Sequence, residues 1–189
     1  MDNIGVMSSR DAYERLRSGN ERYVLADRNE GDVSKERRAE SVREGQKPYA
    51  VIVTCSDSRV IPESIFTAGI GELFVIRVAG NVIGEMELAS IEYAVEHLGC
   101  PLTVVLGHTH CGALHSAMGG KADGNIGVLI DKILSKIGGE RDEARACRIN
   151  VSGSIADIEN GIKNANAVIG AIYDTESGRV EFFDTANLI

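Results

Sequence analysis

The stretch that decides the fold is Thr103-Val-Val-Leu-Gly-His-Thr-His-Cys-Gly-Ala113. It begins with β-branched and aliphatic residues, a composition typical of a buried strand. The apolar run stops at Gly107 and is followed by His108 and Cys111, which are separated by two residues. Imidazole and thiolate are ligands that zinc prefers. The stretch therefore predicts a strand that delivers two candidate metal ligands at its carboxyl end.

An earlier stretch, Tyr49-Ala-Val-Ile-Val-Thr-Cys55, repeats this design with another apolar run that ends in a cysteine. Each short spacing arises by chance in many sequences, but here both follow a predicted buried strand. Together they predict one zinc between neighbouring strand ends, with Cys55, His108 and Cys111 as its protein ligands and a fourth position left open. The alternative is two buried cysteines and a histidine that is hydrogen-bonded within the core.

Two charged residues follow the first cysteine closely. Asp57 and Arg59 alternate with Cys55 along an extended segment, so all three can point the same way. Asp57 could ligate the metal and close the site, or it could orient a metal-bound water by accepting its hydrogen bond. Arg59 offers a bidentate partner that would hold Asp57 off the metal. Both are candidate catalytic residues.

Strands and helices alternate from Pro48 onward. The predicted strands are 49–54, 72–78, 103–106, 167–173 and 179–183. The predicted helices are 86–98, 125–137, one that begins near Cys111, and one capped by Ser154 with Asp157. This order predicts an α/β fold with a mainly parallel sheet of about four strands, covered by helices, and an antiparallel C-terminal edge strand. If the first and third strands are neighbours, their ends meet where ligands bind in such sheets.

The N-terminal part of the chain has a different character. Residues 8–27 have helical spacing and a capping pattern at Ser8 and Asp11, and Gly19 leaves open one helix or two. Residues 28–47 are mostly charged and cannot form a core alone. We therefore expect a single domain over residues 1–189, in which residues 1–45 form a helical arm. Such an arm packs on its own body or on a partner subunit, and we favour the partner subunit.

Composition limits the partners and the location. The chain has 189 residues and a formal charge of −8, which argues against a nucleic-acid or anionic-membrane partner. It has no apolar run near the roughly 20 residues of a membrane helix and no N-terminal secretory pattern, so we expect a cytoplasmic protein. Cys100 and Cys147 are expected to be structural or surface residues.

A family resemblance follows from these motifs. Cys55-Ser-Asp-Ser-Arg59 followed by Gly107-His-Thr-His-Cys-Gly112 resembles the β-class carbonic anhydrases, and the resemblance covers most of the chain. Further similar segments are Leu16-Arg-Ser-Gly-Asn-Glu-Arg-Tyr23, Gly45-Gln-Lys-Pro48, Phe74-Val-Ile-Arg-Val-Ala-Gly-Asn81, Ser90-Ile-Glu-Tyr-Ala94 and Ile172-Tyr-Asp-Thr-Glu-Ser-Gly178.

The resemblance implies roles for individual residues. It places one Zn²⁺ per chain on Cys55, His108 and Cys111 and makes Asp57 and Arg59 the working pair. The implied substrate-binding residues are Gln46, Phe74, Ala79, Tyr93 and Gly112. In this family the glutamine and the aromatic residues reach the zinc of a neighbouring subunit. The resemblance therefore implies a homodimer as the minimum unit and makes a tetramer plausible.

The implied activity is the reversible hydration of carbon dioxide to bicarbonate and a proton, which is the reaction of a carbonate dehydratase, a lyase. Zinc lowers the pKa of a bound water so that hydroxide can attack carbon. One alternative is hydrolysis of carbonyl sulfide or carbon disulfide on the same zinc site. Another is a non-catalytic zinc-binding or redox-sensing protein, with a closed four-ligand site or a disulfide between Cys55 and Cys111.

The resting state of the site can also be predicted. The bicarbonate-inhibited branch of the family carries Trp-x-Gly just before its first cysteine. Ile52 and Thr54 occupy those positions here, and the chain has no tryptophan. We therefore expect an open site in which Asp57 stays paired with Arg59.

Overall fold

The structure is a computed structural model that describes residues 7–26, 28–120, 122–163 and 165–188. One sheet has the strand order β2-β1-β3-β4-β5. Its strands are β1 Ala50–Thr54, β2 Leu73–Arg77, β3 Leu102–His108, β4 Ala167–Tyr173 and β5 Val180–Phe183. The first four run parallel, and β5 pairs antiparallel with β4. The predicted α/β fold class is confirmed.

Helices cover both faces of this sheet. They are α1 Ser9–Leu25, α2 Lys35–Glu44, α3 Pro62–Ile65, α4 Glu85–Leu98, α5 Gly112–Met118, α6 Gly124–Ile137 and α7 Glu143–Gly161. Short 3₁₀ turns lie at Ala79–Asn81 and Thr185–Asn187. Within the described residues, none of the helices is long and apolar enough to cross a membrane.

The two strands that carry the candidate ligands lie side by side in the middle of the sheet. Every residue of β1 and β3 is buried, which explains their nearly continuous apolar sequence. Thr54 is aligned with Leu106 in the β1–β3 pairing, so the two strands end close to the same level. The expectation that the first and third strands are neighbours in the sheet is therefore confirmed.

Helix α1 packs on the sheet of its own chain. Ser8 and Asp11 form the predicted capping box, and Leu16 is fully buried in the core cluster on that face of the sheet. The helix continues through Gly19, where a Cβ would lie only 2.0 Å from the Phe66 carbonyl oxygen. Glycine there serves close packing and does not break the helix.

The rest of the predicted arm, residues 1–45, agrees with the structure only in part. Residues 1–6 and Asp27, which the prediction also covered, lie outside the described part of the chain. Helix α2 lies in the charged segment that the sequence pattern left without an element, and none of its residues is buried. It begins after Ser34, whose hydroxyl accepts a hydrogen bond from the Arg37 N–H at 3.0 Å. Packing of the arm on a partner subunit stays a prediction.

The predicted helix start at Ser154 is wrong. Helix α7 begins after Asp142, whose side chain caps it, and Ser154 lies in its interior. The Ser154 hydroxyl donates to the Asn81 carbonyl oxygen at 2.9 Å, so it serves a tertiary contact instead of a cap. Cys147, on the same helix, is buried, and so is Cys100. Both are therefore structural residues of the core, and neither lies on the surface; the expectation had left both possibilities open.

Candidate metal centre

Three candidate ligands meet at the carboxyl ends of the two central strands. Cys55 directly follows β1, His108 is the last residue of β3, and Cys111 is the residue before α5. Their ligand atoms all lie within 4.8 Å of one another, and all three residues are buried. The two sulfur atoms are 4.0 Å apart. The sequence motifs thus converge at one point, as the metal hypothesis requires.

The histidine fits a metal ligand in its hydrogen bonding. Its Nδ1 lies 2.9 Å from the Thr109 carbonyl oxygen, so Nδ1 carries the proton and donates it. Nε2 is then left with a lone pair, and it is buried without a hydrogen-bond partner among the described atoms. A buried polar atom without a partner costs free energy, and a metal ion would supply the missing partner. An imidazole oriented through its other nitrogen is usual at zinc sites.

The sulfur atoms fit the same role. The Gly80 N–H donates to Cys55 Sγ at 3.3 Å. Hydrogen bonding from Cys111, above all, lowers the pKa of the Cys55 thiol to about 4. The same contact, together with burial, raises the pKa of Cys111. Of the two thiols, Cys55 is therefore the more acidic.

Asp57 and Arg59 are paired beside this cluster. Arg59 Nε donates to Asp57 Oδ1 at 3.0 Å, and Nη2 donates to Oδ2 at 2.8 Å. Hydrogen bonding from the Arg59 side chain holds the pKa of the Asp57 carboxyl well below its usual range. Arg59 Nη2 also donates to the His110 carbonyl oxygen at 2.9 Å. The pair is thus tied to the loop that carries Cys111, and the expected pairing of Asp57 with Arg59 is present.

Arg77 has a role that the sequence analysis did not assign. It ends β2, and its Nη2 donates to the Asp57 carbonyl oxygen at 2.7 Å. The loop from Cys55 to Arg59 is therefore fixed by the neighbouring strand as well as by its own turn. The only signal in the sequence was a charged residue at a strand end, which by itself indicates nothing about its partner.

Two of the expected substrate-binding residues lie beside the cluster. Ala79 directly precedes Gly80, whose N–H reaches the Cys55 sulfur. Gly112 follows Cys111 as the first residue of α5. A Cβ at Gly112 would meet nothing within 4 Å among the described atoms, so there is open space on this side of the cluster.

The other three expected substrate-binding residues lie away from the candidate metal ligands of their own chain. Gln46 is exposed and lies before β1, at the opposite end of the strand from Cys55. Phe74 pairs with Val51, four residues before Cys55, or about 13 Å along a strand. Tyr93 packs on Phe74 with ring centroids 6.3 Å apart. Within one chain these side chains are remote from the candidate ligands.

The fold and this site together define the class of protein. Residues 50–180 match a family model described as carbonic anhydrase, and solved β-carbonic anhydrases share the fold. The chain belongs to the β-class carbonic anhydrase family, as the resemblance predicted.

Individual relatives match along nearly the whole chain. It is 37% identical over 191 residues to carbonic anhydrase 2 of Mycobacterium tuberculosis, with 92% of each sequence covered. It is 35% identical over 188 residues to a carbonic anhydrase of Mycolicibacterium smegmatis, with 90% of this chain and 91% of the relative covered. One solved structure from Sordaria macrospora, described as a tetrameric β-carbonic anhydrase, is 27% identical with a TM-score of 0.63 and covers 79% of this chain and 87% of its own.

Proposed function

We propose that this protein catalyses the zinc-dependent, reversible hydration of carbon dioxide to bicarbonate and a proton. The observation that carries the proposal is the buried cluster of Cys55, His108 and Cys111 with an unpartnered imidazole nitrogen. An ionised carboxylate, Asp57, is held beside this cluster by Arg59. Membership of the carbonic anhydrase family supports the same reaction.

The three clustered residues would hold one Zn²⁺ per chain. Two thiolates and one imidazole form a ligand set of a catalytic zinc site and leave a fourth position open. When bound, zinc supplies an acidified water that serves as nucleophile near neutral pH. Its two positive charges would also stabilise both thiolates, so metal binding would release protons from the cysteines.

Asp57 would orient the reacting water. Its Oδ1 accepts from the Arg59 N–H at 2.9 Å and from Nε, whereas Oδ2 accepts only from Nη2. Oδ2 therefore retains acceptor capacity. It would accept a hydrogen bond from the O–H that the nucleophile keeps, while the proton lost from water passes to solvent buffer. As the new C–O bond forms, one C=O π bond of carbon dioxide opens onto its oxygen, which gives bicarbonate. Arg59 would keep the carboxylate ionised and off the metal.

The substrate pocket would be completed by a second copy of the chain. Ala79 and Gly112 would line it from within, and Gln46, Phe74 and Tyr93 would come from the partner. Support comes from the position of these last three residues, remote from their own cluster. A homodimer is then the minimum unit, and a tetramer is the natural next assembly.

Subunit mixing tests this arrangement. Cys111→Ser disables the metal site of its own chain, and Gln46→Ala removes the amide from the pocket. If Gln46 acts across the interface, a mixed dimer regains one complete site, and its activity exceeds the sum of the two parents. Activity no greater than that sum would show that Gln46 does not complete the site of a neighbour.

The reaction itself is tested by stopped-flow measurement of carbon dioxide hydration with zinc-loaded protein. Cys111→Ser should lose zinc and activity together. Cys100→Ala is the matched control, since it also removes a buried free thiol but lies outside the cluster. Full zinc occupancy in Cys111→Ser would contradict the ligand assignment.

The same preparation separates the alternatives. Faster turnover of carbonyl sulfide or carbon disulfide than of carbon dioxide would reassign the substrate. Zinc-loaded protein without turnover, or a disulfide between Cys55 and Cys111, would favour a non-catalytic or redox-sensing role.

We also propose a cytoplasmic location. A reducing compartment keeps thiols free, and all four cysteine thiols in the described residues are free. Cys55 and Cys111, whose sulfurs are 4.0 Å apart, would then remain available for zinc. Cell fractionation of the tagged protein tests this location, and recovery outside the cytoplasmic fraction would contradict it.

A further inference from the structure

The turn after β2 has an unusual backbone next to the candidate metal centre. Gly80 and Asn81 are consecutive residues with positive φ angles, +69° and +45°. Such a conformation is disfavoured for a residue with a side chain, and surrounding contacts must hold it. Glycine suits position 80 because of this φ angle, and a Cβ there would also lie 2.7 Å from the Ile133 Cδ1 atom.

Helix α7 holds this turn through two buried polar side chains. Asn150 Nδ2 donates to the Gly80 carbonyl oxygen at 2.9 Å. One helical turn further on, the Ser154 hydroxyl donates to the Asn81 carbonyl oxygen at 2.9 Å. Asn150 is only 3% exposed and Ser154 is fully buried. The two consecutive carbonyl groups of the turn are therefore both fixed by the same helix.

Burying the Asn150 side chain costs free energy that its packing alone does not offset. Its Oδ1 is buried without a hydrogen-bond partner among the described atoms. Burying an amide with an unmatched acceptor is unfavourable, whereas an aliphatic side chain of similar size carries no such penalty. Among the described residues the amide makes one hydrogen bond, to Gly80, and the benefit must come from that bond.

Gly80 connects Asn150 to the candidate ligand Cys55. Its carbonyl group accepts from Asn150, and its N–H donates to Cys55 Sγ at 3.3 Å. A residue whose carbonyl is fixed cannot rotate its N–H freely. We propose that Asn150 is a positioning residue for Cys55, acting by fixing Gly80 so that its N–H stays directed at the sulfur. This inference rests on the proposed role of Cys55 as a zinc ligand.

The bond to sulfur sets how strongly Cys55 donates to a metal. An N–H group directed at a thiolate draws electron density away from the sulfur, and hydrogen bonds to ligands tune a metal site in this way. Without Asn150 the turn loses its anchor, the N–H···S bond lengthens, and Cys55 becomes a stronger electron donor. Asn150 thereby controls the electronic character of the site without touching it.

Cobalt substitution measures this directly. Co²⁺ bound by thiolates shows a sulfur-to-cobalt charge-transfer band, and Asn150→Leu should move that band to lower energy. Ile158→Val is the control, because Ile158 is a buried residue of the same helix and belongs to a different core cluster from Cys55 and Cys111. It should change stability and leave the band in place.

The outcomes separate the inference from the proposed function. If the wild-type protein gives no such band, the proposed zinc ligands are wrong. If the wild type gives the band and folded Asn150→Leu gives an identical one, the positioning role of Asn150 is overturned. A shift in Asn150→Leu without a shift in Ile158→Val supports it.

A second variant and a second measurement cover a folding failure. Asn150→Ala introduces no new atoms into the core and is measured in the same way. In wild-type protein loaded with cadmium-113, the Gly80 amide proton should show scalar coupling to the metal through the Cys55 sulfur. Absence of that coupling overturns the proposal even if neither variant folds.

Discussion

Gly107 is the position where a single added methyl group should disturb packing and metal binding together. It lies in β3 directly before His108, and helix α7 crosses it closely. A Cβ at this position would lie 2.7 Å from Val151 Cγ2, 3.1 Å from Cys147 Sγ and 3.2 Å from Ile172 Cδ1. Gly107→Ala therefore forces either α7 away from the sheet or the end of β3 out of line.

The size of the effect follows from these distances. Carbon atoms pack best at about 3.5–4.0 Å, so the Val151 methyl group must move by roughly 1 Å. Overfilling a packed core costs about 1–3 kcal/mol of stability. In a chain of this length each kcal/mol lowers Tm by about 2–4 °C. Since His108 is the next residue, we also expect zinc affinity to fall by roughly 10–100-fold, as for changes that disturb ligand orientation.

Two measurements are needed, denaturant unfolding and competition for zinc with a chelator. Gly139→Ala is the control, because a Cβ there would meet nothing within 4 Å among the described atoms. Its stability should stay within about 0.5 kcal/mol of wild type. The double variant Gly107→Ala/Val151→Ala removes the methyl group that the new Cβ meets.

The double variant decides between a local clash and a general loss of stability. The two substitutions should be non-additive by about 0.5–3 kcal/mol, the range for residues in contact, with Val151→Ala partly restoring zinc affinity. Wild-type stability and zinc affinity in Gly107→Ala would refute the reasoning. So would strict additivity in the double variant, because the clash would then not be the cause.

Three further outcomes are expected. Arg59→Ala should release Asp57 toward the metal and lower the hydration rate roughly 10–100-fold, and an unchanged stopped-flow rate would contradict the role of the pair. Hydration should become faster as pH rises above neutrality, because two thiolates leave zinc's water less acidified than three imidazoles would; a flat rate over about pH 6–9 would count against this chemistry. The depressed pKa of Asp57 gives stability that is complete at neutral pH and is lost as pH falls below about 4. The free energy of unfolding of Asp57→Asn should therefore fall less steeply than that of the wild type as pH decreases in that range. Identical pH dependence in the two proteins would refute the contribution of Asp57.

The sheet could be predicted well because its local signals are strong. β4 has the predicted ends, since an apolar run is bounded on both sides by polar and turn-forming residues. Cys55, His108 and Cys111 could be found because each lies at or shortly after the end of a buried strand, and parallel strands end at a common edge. These inferences need only the periodicity of the chain and the topology of parallel sheets.

Other features depend on contacts that no local pattern contains. Helix α2 buries nothing, so it has no apolar periodicity to reveal it. The sequence pattern predicts the start of helix α7 wrongly because polar residues such as Asn150 and Ser154 interrupt the apolar spacing of the helix. They are polar because they bind a turn that lies 70 and 73 residues earlier in the chain.

The pocket residues Gln46, Phe74 and Tyr93 were beyond physical inference from this sequence. They were expected only through the family resemblance, because nothing in their spacing connects them to the cysteines. A single chain also leaves them apart from the cluster. Their proposed role needs a second copy, and no pattern within one sequence encodes where that copy would lie.

The separation of the two cysteines along the chain has a consequence for synthesis on the ribosome. Cys55 and Cys111 are 56 residues apart, which at about 5–20 residues per second means a delay of about 3–11 s between their synthesis. Their sulfurs come together through the pairing of β3 with β1, so the three candidate ligands are not assembled until the central strands have paired. A zinc finger has its ligands close in sequence and folds around its metal. In this chain the sheet brings the three candidate ligands together, so the metal would bind after the central strands have paired.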